Sequence, residues 1–279
     1  MPFTLSHPAA VLVVARHPLV VPALVAGSMA PDVPDFIGIN AGRPVWWEPF
    51  FNLTYTHSLP GIGIDLIYAL VLVALFLLVK RPVLAMAPKV ATRVPEPLGY
   101  GPGAAGVARR TLWTLVSALI GVITHLIWDS VTHYGMFFDE HFSFMRTPVI
   151  GGLDVLRLMQ HVSSVIGLVA IGFWLWRKWR GATAMPLSSS LILGNRMRLA
   201  VVVGLVVAGS MGAVQRVLET NYTVATEAVL RQVATGSGLG IALGLIVYSL
   251  AWQAAHFKKL QRHATEEPCK VKADSHRAS

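Results

Sequence analysis

Five long apolar stretches alternate with polar connections along the chain, over about 59–79, 111–131, 155–176, 199–217 and 229–251. Each is long enough to cross a hydrocarbon core of about 30 Å as an α-helix that rises about 1.5 Å per residue. A segment in lipid must satisfy its own backbone hydrogen bonds, which a helix does. The pattern therefore predicts an all-α fold, a polytopic membrane bundle of about five transmembrane helices.

Local signals mark the starts of two of these helices. Ser58 precedes the first span, which has Pro60 in its opening turn, and Asp154 precedes the third. The side-chain oxygens of Ser and Asp accept hydrogen bonds from the free N–H groups of a first helical turn. We predict that Ser58 and Asp154 cap these two helices.

The segment 8–28 is also apolar, but Arg16, His17, Pro18 and Pro22 interrupt it. Proline removes a helical hydrogen-bond donor, and an arginine at mid-depth in a bilayer is costly. Two interpretations remain from these residues alone. The segment is either one span or an N-terminal helical hairpin, re-entrant or interfacial, built from two short helices.

The distribution of Lys and Arg predicts the orientation. The segments 132–154 and 218–228 hold one arginine and none, whereas most basic residues lie in three other segments: 80–110, 177–198 and the tail from 252. Cytoplasmic loops carry the excess of positive residues in membrane proteins. We therefore expect the three basic segments on the cytoplasmic side and the block 29–58 on the non-cytoplasmic side.

The composition agrees with a membrane protein. The 279 residues are 54% apolar and 13% charged, and the mean hydropathy of +0.59 is too high for an ordinary soluble domain. We predict a single membrane domain over 1–261, with a site-bearing half at 1–175 and additional helices at 199–251. The polar residues 262–279 are expected to form a disordered cytoplasmic tail.

The net charge of +9 does not indicate nucleic-acid binding, because the basic residues lie at the ends of apolar runs. The single cysteine, Cys269, excludes an intrachain disulfide and a cysteine-based zinc site. Any metal ion must therefore be held by His, Asp and Glu.

The second apolar stretch contains GVITHLIWDSVTHYG, residues 121–135, in which His125, Asp129 and His133 follow one another at i, i+4 spacing. On a helix this spacing places all three on one stripe near one end. Imidazole and carboxylate groups on such a stripe can bind one metal ion. The alternative is a set of polar residues that hydrogen-bond to neighbouring helices, but ionisable groups inside a span are expensive and usually functional.

Two further histidines have less specific surroundings. His57 immediately precedes the first span, at the level of Asp129 and His133, and alone it would be an interfacial or capping residue. His161 lies about two turns into the third helix, where hydrocarbon disfavours it unless it faces a polar cavity. We include both as candidate ligands.

The block GSMAPDVPDF, residues 27–36, holds Asp32 and Asp35 in a stiff, proline-containing stretch. Two carboxylates so close fit a bridging metal ligand with a general base, but for these residues alone solvated side chains in a Pro/Asp turn are the better explanation. The predicted topology favours a site, because it places these acids on the same side as His57, Asp129, His133 and His161. Asp65, two turns into the first helix, either lies in the same cavity or bonds to a neighbouring helix.

The glycine run GSGLG, residues 236–240, is similar to a phosphate-binding loop. No strand precedes it and it continues into an apolar stretch. Close packing of helices through small residues is the better interpretation.

Five motifs in chain order, over roughly the first 175 residues, together resemble the DUF4184 family of bacterial membrane proteins: PFTLSHPAAVL, GSMAPDVPDF, THSLPG, HLIWDSVTHYG and QHVSS. That family is similar to membrane-bound metal-dependent hydrolases, which share a PD block, a THS block and a helical His-x-x-x-Asp. A remoter similarity links it to zinc-dependent phospholipases C, which bind clustered zinc ions through His and Asp.

The resemblance implies specific ligands. Carried over by position, the metal ligands are Asp32, His57, His125 and Asp129, and the residues in or next to their shell are His7, Asp35, His133 and His161. A role for His7 favours the hairpin interpretation of 8–28, because a single span would leave His7 in the cytoplasm.

Together these observations predict an integral membrane hydrolase that uses a divalent metal. We expect the ion to be zinc and the protein to be surrounded by membrane lipid. Its substrate would be a phosphoester of a lipid or a lipid-linked molecule at the outer face. We expect metal ligands at His7, Asp32, His57, His125, Asp129 and His161, and catalytic groups at Asp35 and His133. The alternative is an ion- or proton-coupled transporter or scaffold that uses the same buried cluster without hydrolysis. The oligomeric state stays open.

Overall fold

The computed structural model describes residues 4–38, 46–86, 101, 103–181, 193–219 and 226–277. Within these ranges the chain forms eleven α-helices and two short strands. The helices, in chain order, are α1 Pro8–Leu12, α2 Val21–Gly27, α3 Val33–Ile37, α4 Glu48–Phe51, α5 Leu53–Thr56, α6 Ile62–Met86, α7 Gly103–Thr132, α8 Phe137–His141, α9 Val155–Gly181, α10 Asn195–Leu218 and α11 Thr226–Arg277.

The five long helices carry the five apolar stretches and confirm the predicted architecture. The segments long and apolar enough to cross a membrane are Leu59–Met86, Gly103–His141, Val155–Gly181, Asn195–Leu218 and Ala228–Phe257. Many large apolar side chains on these helices are exposed, among them Val165 and Val206. Outward-facing apolar residues are expected where lipid surrounds the protein.

The N-terminal segment forms two short helices, α1 and α2, which confirms the hairpin interpretation. Arg16 and His17 lie in the connection between them and are exposed. A single span over 8–28 is excluded, because neither helix is long enough to cross a bilayer.

One of the two predicted helix caps is present. The Asp154 carboxylate accepts a hydrogen bond from the Arg157 backbone N–H at 2.8 Å, at the start of α9. The prediction for Ser58 is wrong. Its hydroxyl donates to the Tyr55 carbonyl at 2.6 Å, and one 3₁₀ turn, Leu59–Gly61, separates it from α6.

A small hairpin precedes α9. Strands β1 Pro148–Ile150 and β2 Leu153–Asp154 pair antiparallel, with Ile150 opposite Leu153. The turn consists of Gly151 and Gly152, both with positive φ, as two-residue hairpin turns require. This element was not predicted.

The chain divides into two compact units. Unit 1 comprises Met1–Phe76 and Arg93–Thr183, and unit 2 comprises Leu77–Thr92 and Ala184–Ser279. In unit 1, α2 packs on α7 around a small apolar core formed by Ala26, Ala30, Ala69, Ala118 and Val122. The single membrane domain over 1–261 stays a prediction.

In unit 2, α10 and α11 pack through small residues. A Cβ at Gly240 would lie 2.1 Å from the Ala208 carbonyl oxygen, and a Cβ at Gly236 would lie 2.3 Å from that of Gly212. Only glycine permits so close an approach of two helix backbones. The run 236–240 is therefore a helix-packing motif, as its position in an apolar stretch indicated.

The end of α11 differs from the sequence-based expectation. The structure continues this helix to Arg277, through the segment predicted as a disordered tail. Extending an existing helix costs far less than starting one, and the tail is rich in Ala, Glu and Lys, which favour helix.

Candidate metal centre

The site is built where α2 meets α7, and two glycines bring these helices together. A Cβ at Gly27 would lie 2.1 Å from the Ala118 carbonyl oxygen, and one at Gly121 would lie 2.3 Å from that of Leu24. This backbone contact places the end of α2 one helical turn from His125. The block that follows α2 carries Asp32 to the same place.

His125 is held by the carbonyl group of Ser28. The His125 side chain is fully buried, and its Nδ1–H donates to the Ser28 oxygen at 2.8 Å. Because Nδ1 carries the proton in this hydrogen bond, Nε2 of the neutral ring presents a lone pair. That lone pair points toward the centre of the site.

His57 is held in the same way. Its Nδ1–H donates to the Leu53 carbonyl oxygen at 2.8 Å, across the short helix α5. The neighbouring Thr56 hydroxyl donates to the Pro31 carbonyl oxygen at 2.9 Å, which ties this segment to the one that carries Asp32. Nε2 of His57 therefore also faces the centre of the site, where it can bind a metal once it has lost its proton.

Two carboxylate oxygens complete the group. Asp32 Oδ1 lies 3.3 Å from His57 Nε2 and 3.7 Å from His125 Nε2. Asp129 Oδ2 lies 3.2 Å from His57 Nε2 and 3.3 Å from His125 Nε2. The two imidazole Nε2 atoms are 3.2 Å apart. We call these four residues, Asp32, His57, His125 and Asp129, the tetrad; their ligand atoms all lie within 4.8 Å of one another.

The spacing of the tetrad atoms fits a tetrahedral metal site. Zinc bonds of about 2.0–2.2 Å to nitrogen and oxygen place adjacent ligand atoms of a tetrahedron about 3.3–3.6 Å apart. Five of the six distances between the tetrad atoms are 3.2–3.7 Å. Asp32 Oδ1 is buried, and the tetrad histidines are the groups that face it. The residues present therefore fit a divalent cation.

The electrostatics of the tetrad favour a positive charge between its carboxylates. Burial lowers the pKa of His57, but hydrogen bonds to Asp129 and Asp32 outweigh it and raise that pKa to about 10. Burial raises the pKa of Asp32, but the charge of His125 and a hydrogen bond from His57 outweigh it and hold that pKa well below its ordinary value. A proton on His57 supplies this positive charge, and a metal ion bound at the same place would replace it.

Two further histidines contact the other oxygen of Asp129. His7 Nε2 lies 2.9 Å and His133 Nδ1 lies 3.3 Å from Asp129 Oδ1. The His7 ring also stacks on His125, with ring centroids 4.1 Å apart. The structure thus brings six of the eight predicted site residues together.

The remaining two, Asp35 and His161, are not members of the tetrad. Asp35 is half-buried in the first turn of α3, and His161 is exposed on α9, whereas its neighbour Gln160 is buried. Their metal and catalytic roles stay predictions.

Of the two positions that the sequence left open for Asp65, the structure favours the cavity of the site. Its side chain is fully buried in the first turn of α6, and neither carboxylate oxygen has a hydrogen-bond partner among the described residues. It interacts electrostatically with His57, His125 and Asp32.

No sequence pattern predicts the groups that orient the ligands. The carbonyls of Ser28 and Leu53 fix the tautomers of His125 and His57. Every residue carries a backbone carbonyl, so no side-chain pattern could have identified these two.

Comparison with known proteins identifies the family. The family model DUF4184, described as a domain of unknown function, matches residues 1–250. No curated protein and no solved structure matches the chain. The match covers the motifs that build the tetrad as well as most of the membrane helices, and the chain therefore belongs to the DUF4184 family.

Proposed function

We propose that this protein is an integral membrane metal-dependent hydrolase. The observation that carries the proposal is the convergence of two imidazole nitrogens and two carboxylate oxygens, all buried, from three separate parts of the chain. They have the edge lengths of a tetrahedral site, and the two histidines are oriented by backbone carbonyls. Outer hydrogen bonds of this kind are a regular feature of protein metal sites.

The donor set favours zinc among the common ions. Two imidazole nitrogens and two carboxylate oxygens suit zinc and other first-row transition metals, whereas magnesium and calcium prefer six or more oxygen ligands. When bound, such an ion polarises a phosphoryl or acyl oxygen and acidifies water. The ligands would be Asp32, His57, His125 and Asp129.

The position of the tetrad supports a lipid or lipid-linked phosphoester as substrate. His57 lies just before α6, and Asp129 lies one turn before the end of α7, so the site occupies one end of the helices of unit 1. The charge distribution predicts that this end faces away from the cytoplasm. Asp35 is the proposed proton acceptor, and His133, in contact with Asp129, a second catalytic group.

Metal analysis of the purified protein tests the ligand assignment. We expect at least one equivalent of tightly bound transition metal per chain in detergent, and its loss in His125→Ala and Asp129→Ala. His141→Ala is the matched control, because His141 is exposed on α8 outside the tetrad. Less than about half an equivalent in the wild type, unchanged in the two tetrad variants, would refute the proposal.

Turnover measurements test the reaction. Phospholipids in mixed micelles should release a phosphorylated headgroup with the wild type and not with His125→Ala. Metal content that depends on the tetrad, with ion flux in proteoliposomes and no turnover of any phosphoester, would favour a transporter instead.

A further inference from the structure

Each carboxylate oxygen of Asp129 contacts its own pair of histidines. Oδ2 faces His57 and His125, and Oδ1 faces His7 and His133. We infer that the Oδ1 side is a second metal position, held by His7, His133 and Asp129, and that Asp129 bridges two divalent ions. The inference rests on the proposed function and deepens it.

The contacts around Oδ1 have the lengths of a coordination shell. His7 Nε2 and His133 Nδ1 lie 2.9 Å and 3.3 Å from Oδ1. Nitrogen and oxygen ligands of one ion, bound at about 2.0–2.2 Å, lie about 3–3.6 Å from each other. A carboxylate that offers one oxygen to each of two ions is the usual bridge in two-metal sites, where the ions are about 3.5–4 Å apart.

The coordination of the tetrad provides an independent reason for a second ion. The tetrad supplies four protein ligands, so a substrate oxygen would join its ion only by expanding the shell to five ligands. Hydrolytic sites keep a position free, and three protein ligands are their usual number. His7, His133 and Asp129 Oδ1 supply three ligands and leave one position for a substrate oxygen.

Charge supports the same count of ions. Asp32 and Asp129 are both buried at the site. Beside neutral histidines, one divalent ion balances these two carboxylates, whereas two ions leave a net positive charge. The second state attracts a phosphoester anion more strongly.

The competing explanation is that His7 and His133 are hydrogen-bond donors that orient Asp129. Amide side chains distinguish the two, because Gln can place an N–H near the position of Nε2 and Asn near that of Nδ1, but amides bind transition metals weakly. The test variants are therefore His7→Gln and His133→Asn, with His141→Ala as the control that removes an exposed imidazole.

Zinc titration of the full chain, followed by metal analysis after desalting, decides the question. We expect two equivalents in the wild type and in His141→Ala, and one in His7→Gln and His133→Asn. Cobalt substitution should show magnetic coupling between two ions in the wild type and an isolated ion in the variants. One equivalent throughout, lost only in His125→Ala, would overturn the second position and leave the proposed function intact. No bound metal in the wild type would overturn both.

Discussion

At the scale of single residues, the hydrogen bonds of His57 and His125 determine what the tetrad can do. Each ring donates its Nδ1–H to a backbone carbonyl, so each presents Nε2 to two carboxylates. A ring free to rotate or change tautomer would lose part of its binding free energy to that disorder. The tetrad is therefore preorganised for a cation.

Metal binding should release a proton from His57. The hydrogen bonds to Asp129 and Asp32 raise the pKa of His57 to about 10, so the ring is protonated at pH 7 and must lose its proton to coordinate a metal. We expect release of at least about one proton per ion and an apparent affinity that rises at least about tenfold per pH unit between pH 6 and pH 8. Asp32 contributes no proton, because its pKa lies well below its ordinary value.

Calorimetry in two non-chelating buffers of different ionisation enthalpy measures this release. His57→Ala should bind more weakly and release fewer protons. An affinity that does not change between pH 6 and pH 8 would contradict the prediction.

The residues that the sequence could and could not place differ for a physical reason. The i, i+4 spacing of His125, Asp129 and His133 fixes one stripe on any helix, so their proximity was predictable. His161 was not, because consecutive helical residues point about 100° apart and hydropathy does not fix the rotation of α9. The structure buries Gln160 and exposes His161.

At the scale of elements, the contact between α2 and α7 controls the geometry of the tetrad. Gly27 and Gly121 let the two backbones touch, and the carbonyl that holds His125 follows directly after α2. A displacement of either helix would move the Ser28 oxygen away from the ring.

Gly121→Ala should therefore weaken metal binding. The added Cβ would lie 2.3 Å from the Leu24 oxygen and 2.6 Å from the Ser28 nitrogen, and the helices would have to separate. Loss of an outer hydrogen bond typically lowers metal affinity about 10- to 100-fold, and we expect this range together with a lower thermal midpoint. Competition with a chromogenic chelator measures the affinity.

Gly63→Ala is the matched control, since a Cβ there would meet nothing within 4 Å. It should retain the affinity and thermal midpoint of the wild type. Wild-type affinity in Gly121→Ala would show that the contact does not position His125.

The long helices were predictable because length and hydropathy suffice to identify a span. The short helices α3, α4 and α5 and the hairpin of β1 and β2 were not predicted, because four or five residues carry too little periodicity. Asp32 directly precedes α3 and His57 directly follows α5, so these two short helices position ligands of the tetrad. The sequence therefore indicated which residues form the site but not the local structure that positions them.

At the scale of the whole molecule, the distribution of basic residues predicts a site on the non-cytoplasmic side. Cys269, the single cysteine, is a natural reporter for the C-terminal segment. In a bacterial host, a membrane-impermeant maleimide should label Cys269 only after the cells are permeabilised.

The complementary variant is Ser143→Cys in a Cys269→Ser background, because Ser143 is exposed in the connection between α7 and α9. We expect it to react in intact cells. The reverse pattern would place the tetrad on the cytoplasmic side and exclude an outer-leaflet substrate.

The burial of the tetrad has a consequence for how the protein matures. The four side chains are at most 7% exposed, and the His7 ring covers one face of His125. We expect metal exchange at such buried atoms to be slow, so that titrations of the purified chain need long incubation. An ion bound while the chain assembles in the membrane would then be retained, and the compartment in which the chain folds would determine which ion it carries.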